Sequence, residues 1–138
     1  MTADKIEGNK IKFTHTTIFK REDGIIEVQC GDDVNYQISH FKEMNDLSAE
    51  LCEYKPQLIL FKVGNYTTIS NEAREYGATA EATKYSIAEA YVIRSLPQKI
   101  VANFYIRVDK PNVPTKFFNN EYEAVEWLNE FRPKQPII

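Results

Sequence analysis

The sequence predicts a single α/β domain: a mixed, mostly parallel sheet of about five strands, with an opening β-hairpin and about four to five helices packed on it. Three observations carry this. Strand patterns alternate with helix patterns from residue 25 onward, the order expected of a parallel sheet covered by helices. The run Leu58-Ile59-Leu60-Phe61-Lys62-Val63 is short and almost continuously apolar, as strands buried on both faces are. Two strand-like stretches flank Glu22-Asp23-Gly24, a turn whose glycine supplies a positive φ, and this hairpin makes the sheet mixed.

The elements follow in order. Residues 10–19 alternate, with Ile11, Phe13, His15, Thr17 and Phe19 on one side, and read as one strand. Ile25 to Cys30 is the returning strand. Asn35 is positioned to cap a helix over about 36–53, whose inner face carries Phe41, Met44, Leu47 and Leu51. After the strand at 58–63, Ser70 is a helix N-cap, with Glu72 and Glu75 placed where negative charge suits the helix dipole. Gly77 ends that helix, and Thr79 is set to cap another over 80–84. Ile87 to Ser95 is the next strand. Ser95-Leu96-Pro97-Gln98 is a helix start, followed by an apolar stripe of Ile100, Val101, Phe104, Tyr105 and Val108. Thr115–Phe118 is a last strand. Asn120 caps a final helix with Ala124, Val125, Leu128 and Phe131 turned inward.

Length and composition agree with one globular domain. The 138 residues are 43% hydrophobic and 27% charged. The domain is expected over 10–131, with a polar, flexible N-terminus at 1–9 and a proline-containing tail at 132–138. A net charge of -3 argues against a nucleic-acid partner, which calls for a basic face. Cys30 and Cys52 form no metal-binding spacing, and no stretch has the apolar length of a signal peptide or a membrane span. A cytoplasmic protein with free thiols is the expectation.

The stretch from Leu58 to Arg74, with Gly64-Asn65 leaving the buried strand and Ser70 opening a helix, resembles the strand, loop and helix start of STAS-like domains related to the anti-sigma factor antagonist SpoIIAA. Asn71–Gly77, Val101–Ile106, Lys110–Phe118 and Tyr122–Leu128 resemble an uncharacterised bacterial branch of the SpoIIAA-like superfamily, so that the likeness covers residues 10–131. The resemblance implies a SpoIIAA-like (STAS-like) fold. It also implies a non-catalytic regulatory or protein-interaction module whose partner is another protein or, as a homodimer, a second copy. In such antagonists a serine in an Asp-Ser-Ser-Gly run is phosphorylated at the helix start. By position that run falls on Ile69-Ser70-Asn71-Glu72, where only Ser70 matches.

Ser70 and Asn71 are therefore the candidate phosphoacceptor or partner surface, and a helix N-terminus accommodates phosphate. The plainer alternative is that Ser70 is only a cap. Arg94, Lys99 and Arg107, with Lys110 and Lys116 nearby, form a basic stretch that suits an anionic ligand or lipid headgroup, or is simply a solvated face. Tyr66, Tyr76, Tyr85 and Tyr105 fit either a contact surface or the core. His15, His40, Asp32 and Asp33 lack the spacing of a metal site or triad, and Gly64 stands outside any nucleotide-binding motif. No catalytic constellation and no cofactor motif emerges. The alternative function is a carrier of a small apolar or lipid ligand, because Sec14-type lipid carriers have a broadly related α/β arrangement. That reading requires an apolar pocket of about a few hundred Å³ or more.

Overall fold

The computed structural model describes residues 3–7, 10–13 and 15–133. Four antiparallel strands open the chain: β1 (Ala3–Glu7), β2 (Lys10–Phe13), β3 (Thr16–Lys20) and β4 (Ile26–Cys30). The short strand β5 (Asn35–Tyr36) and helix α1 (Ile38–Ser48) lead to β6 (Gln57–Lys62). The second half comprises β7 (Thr68–Ile69), α2 (Asn71–Gly77), β8 (Ser86–Val92), α3 (Leu96–Phe104), β9 (Thr115–Phe118) and α4 (Glu121–Asn129). A π-helical turn, Tyr105–Asp109, extends α3. The main sheet has seven strands in the order β1-β2-β3-β4-β6-β8-β9, and β4, β6, β8 and β9 run parallel. β5 and β7 form a separate parallel pair.

The α/β class and the mixed sheet are as expected, but the sheet has seven strands rather than about five and is not mostly parallel, because β1 and β2 extend its antiparallel side until half of its pairings are antiparallel. Several element boundaries differ too. The stretch 10–19 is a hairpin, not one strand. Ile11 and Phe13 are buried in β2, and the buried set then changes phase to Thr16 and Ile18 in β3. A single alternation through His15 and Thr17 therefore fails, and His15 is exposed. Within the segment expected to be loose, Ala3–Glu7 pairs with β2. Asn35 lies in β5 and caps no helix. Instead α1 begins after Gln37, whose backbone N–H donates to His40 Nδ1 at 3.0 Å. Residues 80–84 form turns, not a helix, though Thr79 Oγ1 still accepts from Ala82 N at 3.2 Å. Residues 134–138 of the expected tail lie outside the described residues.

The β3–β4 turn closes through Arg21 N–H to the Ile25 carbonyl at 2.8 Å, with Gly24 at φ +87°. Few side chains adopt that φ without strain. At the carboxyl ends of β4 and β6 the two backbones nearly touch. A Cβ on Gly64 would come 2.2 Å from the Gly31 carbonyl oxygen, so only glycine fits there.

The sheet has helices on both faces. Helix α4 covers one of them, with Ala124 and Leu128 fully buried on Leu58, Leu60, Ala88 and Ala90. The small alanines of β8 let the helix approach closely. On the other face Met44 of α1, with Tyr36 of β5 and Cys52 just after the helix, packs against Ile18, Ile26, Val28 and Ile59, and α2 packs against α1. Helix α3 lies on that second face too, yet Ala102 is its one buried residue.

Candidate functional site

The gap between α3 and the sheet is a cavity of about 470 Å³, open to solvent at one side. Its floor is a row of three rings. Phe61, Tyr91 and Phe117 occupy matched positions on β6, β8 and β9. Phe61 stacks on Tyr91 with centroids 4.3 Å apart, and Tyr91 on Phe117 at 4.8 Å. Cross-strand aromatic pairs of this kind stabilise a sheet locally and present a flat apolar surface. Val101, Ala102 and Tyr105 form the wall opposite, and Tyr66 stands at the mouth. The cavity lies at the carboxyl ends of the parallel strands, where open α/β sheets commonly hold ligands.

Polar tethers at the ends of α3 keep the gap open. Ser95 Oγ caps the helix, accepting from Gln98 N. Gln98 Nε2 donates to the carbonyls of Gly64 at 2.9 Å and Thr67 at 3.1 Å, and Arg94 Nε donates to Val63 O at 2.9 Å. At the far end Arg74 pairs with Asp109, and Asn112 N donates to Ala78 O at 3.0 Å. These contacts hold the helix by its ends, so its middle need not fill the space beneath.

Burial raises the proton affinity of the acidic groups around the cavity. Burial raises the Glu89 carboxyl above its usual range, although the Ser86 hydroxyl at 2.7 Å and the Tyr91 hydroxyl at 3.0 Å donate to it. Burial also pushes the Cys30 thiol up to about 12 and raises the Tyr36 and Tyr91 phenols. The Tyr105 phenol rises for the same reason, reinforced by the nearby Glu89 and Asp109 carboxylates. The Tyr36 hydroxyl is engaged with Thr16 Oγ1 at 2.6 Å. The Tyr105 hydroxyl is different: it is buried and has no hydrogen-bond partner among the described residues. Gly77 leaves room beside it, since a Cβ there would lie 3.4 Å from the phenol oxygen. A buried donor left unsatisfied costs about 1–3 kcal/mol, which a ligand oxygen or nitrogen would recover.

The residues singled out in the sequence do not converge. Ser70 Oγ is the cap of α2, accepting from Ala73 N at 3.1 Å, and Asn71 Oδ1 accepts from Arg74 Nη1 at 2.8 Å. Lys99 and Arg107 are exposed along α3, and Arg94 is exposed just ahead of it. His40 lies edge-on to Tyr36, and Asp32 Oδ1 accepts from Asn65 N at 2.7 Å. Among the described residues no group of three His, Cys, Asp or Glu is arranged to hold a metal, and no helix is long and apolar enough to cross a membrane. The aromatic floor was missed by the sequence reading. Its only sequence signal is a ring in each of three strands, without a local motif to align them.

A family model described as a domain of unknown function, DUF7793, matches residues 19–132. The chain belongs to that family. The match to DUF7793 takes in β4, β6, β8, β9 and all four helices, and so every wall of the cavity. No curated protein and no solved structure compared with this DUF7793 domain matches it.

Proposed function

We propose that this DUF7793 domain binds a small, largely apolar molecule without covalent chemistry, as a carrier or a sensor. The observation that carries this is the 470 Å³ cavity with its aromatic floor. Its size falls in the range of about 300–1,000 Å³ typical of small-molecule sites. Its mostly apolar and aromatic lining favours an uncharged ligand. The unsatisfied Tyr105 hydroxyl favours a ligand with one hydrogen-bonding oxygen or nitrogen at that end. Asp109, which disfavours ionisation of the phenol, is itself paired with Arg74, so this end of the cavity holds little free charge for an ionic ligand head.

A regulatory module with a SpoIIAA-like arrangement and a switch at Ser70 rests on element order and on a serine at a helix start. Phosphorylation would have to displace the cap bond to Ala73 N. No observation of comparable weight supports it.

Titration calorimetry with 2-naphthol and naphthalene tests the proposal. Both are expected to bind saturably at one site. Tyr105→Phe is expected to weaken 2-naphthol by about 0.5–1.5 kcal/mol, the net value of one hydrogen bond, and to leave naphthalene unchanged. Absence of saturable binding for both compounds would sink the reading. Equal loss for both would remove Tyr105 from it.

A further inference from the structure

The inward side of α3 is the cavity wall, and its outward side is also apolar. Leu96, Ile100, Phe104 and Val108 are 70%, 62%, 45% and 58% exposed. At four-residue spacing these side chains form one stripe along the helix and the π turn that extends it. Polar side chains normally face water on a surface helix, and a continuous exposed apolar stripe marks a surface that is covered in use.

The charges on this stripe point to its occupant. From Leu96 to Val108 the charged side chains are Lys99 and Arg107 alone, both exposed. Arg94 precedes them and Lys110 follows, also exposed, while Asp109 is turned inward to Arg74. A chain with a net charge of -3 thus gathers cations and exposed apolar groups on one face. Tyr66, 81% exposed, flanks the amino-terminal half of α3 on the loop that Gln98 holds by the Gly64 and Thr67 carbonyls. Apolar side chains that can enter a bilayer, long cations whose heads reach phosphate and an aromatic ring beside them are the features of a helix lying in a membrane interface.

A second copy fits less well. In an antiparallel twofold pairing centred on Ala102, the middle of the stripe, Leu96 faces Val108 and Ile100 faces Phe104. Lys99 and Arg107 of both copies then gather along one contact, with no acidic side chain from Leu96 to Val108 to offset them. In a parallel pairing each cation faces its own equivalent. Both arrangements set like charges together beside the apolar contact.

We propose that the outward face of α3 docks on an anionic lipid surface. Docking does not depend on what fills the cavity.

The test is flotation of the full chain with vesicles of phosphatidylcholine alone and of phosphatidylcholine with 30% phosphatidylglycerol, at 50 and 500 mM NaCl. Binding is expected to the anionic vesicles, to fall at high salt and to be weak on neutral ones. The double variant K99A/R107A is expected to bind the anionic vesicles about thirtyfold less tightly. Ile100→Asp is expected to abolish binding while keeping the wild-type circular dichroism and melting curve, because Ile100 is exposed and its loss leaves the core intact. Failure to float with anionic vesicles overturns the proposal. So does binding that the two charge substitutions leave unchanged. A homodimer in light scattering that Ile100→Asp converts to monomer also overturns it, since the stripe would then be a self-interface.

Discussion

Glu89 lies in β8 with its carboxyl buried, accepting hydrogen bonds from Ser86 and Tyr91. Burial raises its proton affinity in the folded chain above that in the unfolded chain. The folded state therefore holds the proton over a pH range where the unfolded state has released it. The stability gained from this difference is complete below the ordinary carboxyl range and is lost as pH rises through the raised folded value. Glu121 has the opposite sign. Lys62, 2.8 Å away, lowers its proton affinity, so its contribution is lost as pH falls through the depressed folded value. Glu89→Gln is expected to remove the first slope and leave the second. Its melting temperature should exceed that of the wild type at neutral pH, and the difference should shrink toward pH 4. A wild-type curve that rises from pH 5 to 8 in parallel with the variant's would show that burial does not govern this carboxyl.

At the scale of elements, α3 and α4 are held in opposite ways. α4 sits on close-packed alanines, and Leu128→Ala there should cost about 2–5 kcal/mol of global stability. α3 depends on polar tethers. Gln98→Ala removes two donor bonds to Gly64 and Thr67, and also the acceptor of Arg94 N. Hydrogen exchange is expected to speed up across 96–109 while the global melting temperature falls much less than in Leu128→Ala. Equal loss in both variants would mean that α3 unfolds only with the whole domain. The starts of these helices were legible in the sequence because a cap is local: Ser95, Asn120 and Ser70 each hold the N–H three residues on. Elements that depend on distant pairing were less legible. The break between β2 and β3 divides an unbroken strand-like composition, and β5 and β7 exist only because they pair with each other. The cavity was less legible still. Tyr66 and Tyr105 stood out as aromatic residues, but a space between α3 and the sheet leaves no pattern in either segment.

For the molecule as a whole, the two faces of the sheet should respond to added volume with opposite signs. Ala90 and Ala102 are both buried alanines, at 0% and 4% exposure. Ala90 meets α4 in a full core, where added methyl and methylene groups force neighbours off their rotamers at about 1–3 kcal/mol. Ala102 faces the cavity, where the same added groups gain contacts that the empty space forfeits. Ala90→Leu is therefore expected to lower the melting temperature and Ala102→Leu to raise it or leave it unchanged. Ligand should distinguish the two further. A bound molecule at about a hundred times its dissociation constant adds about 2.7 kcal/mol to a domain that retains the site. For a chain of this size that is a rise of about 5–10 °C. 2-Naphthol should give such a rise in the wild type and, from its lower base, in Ala90→Leu. In Ala102→Leu the side chain already occupies the space, so scanning calorimetry should show little further shift. If Ala102→Leu destabilises as much as Ala90→Leu and the ligand shift survives in both, the ligand is seated elsewhere and α3 is packed more tightly than the cavity implies.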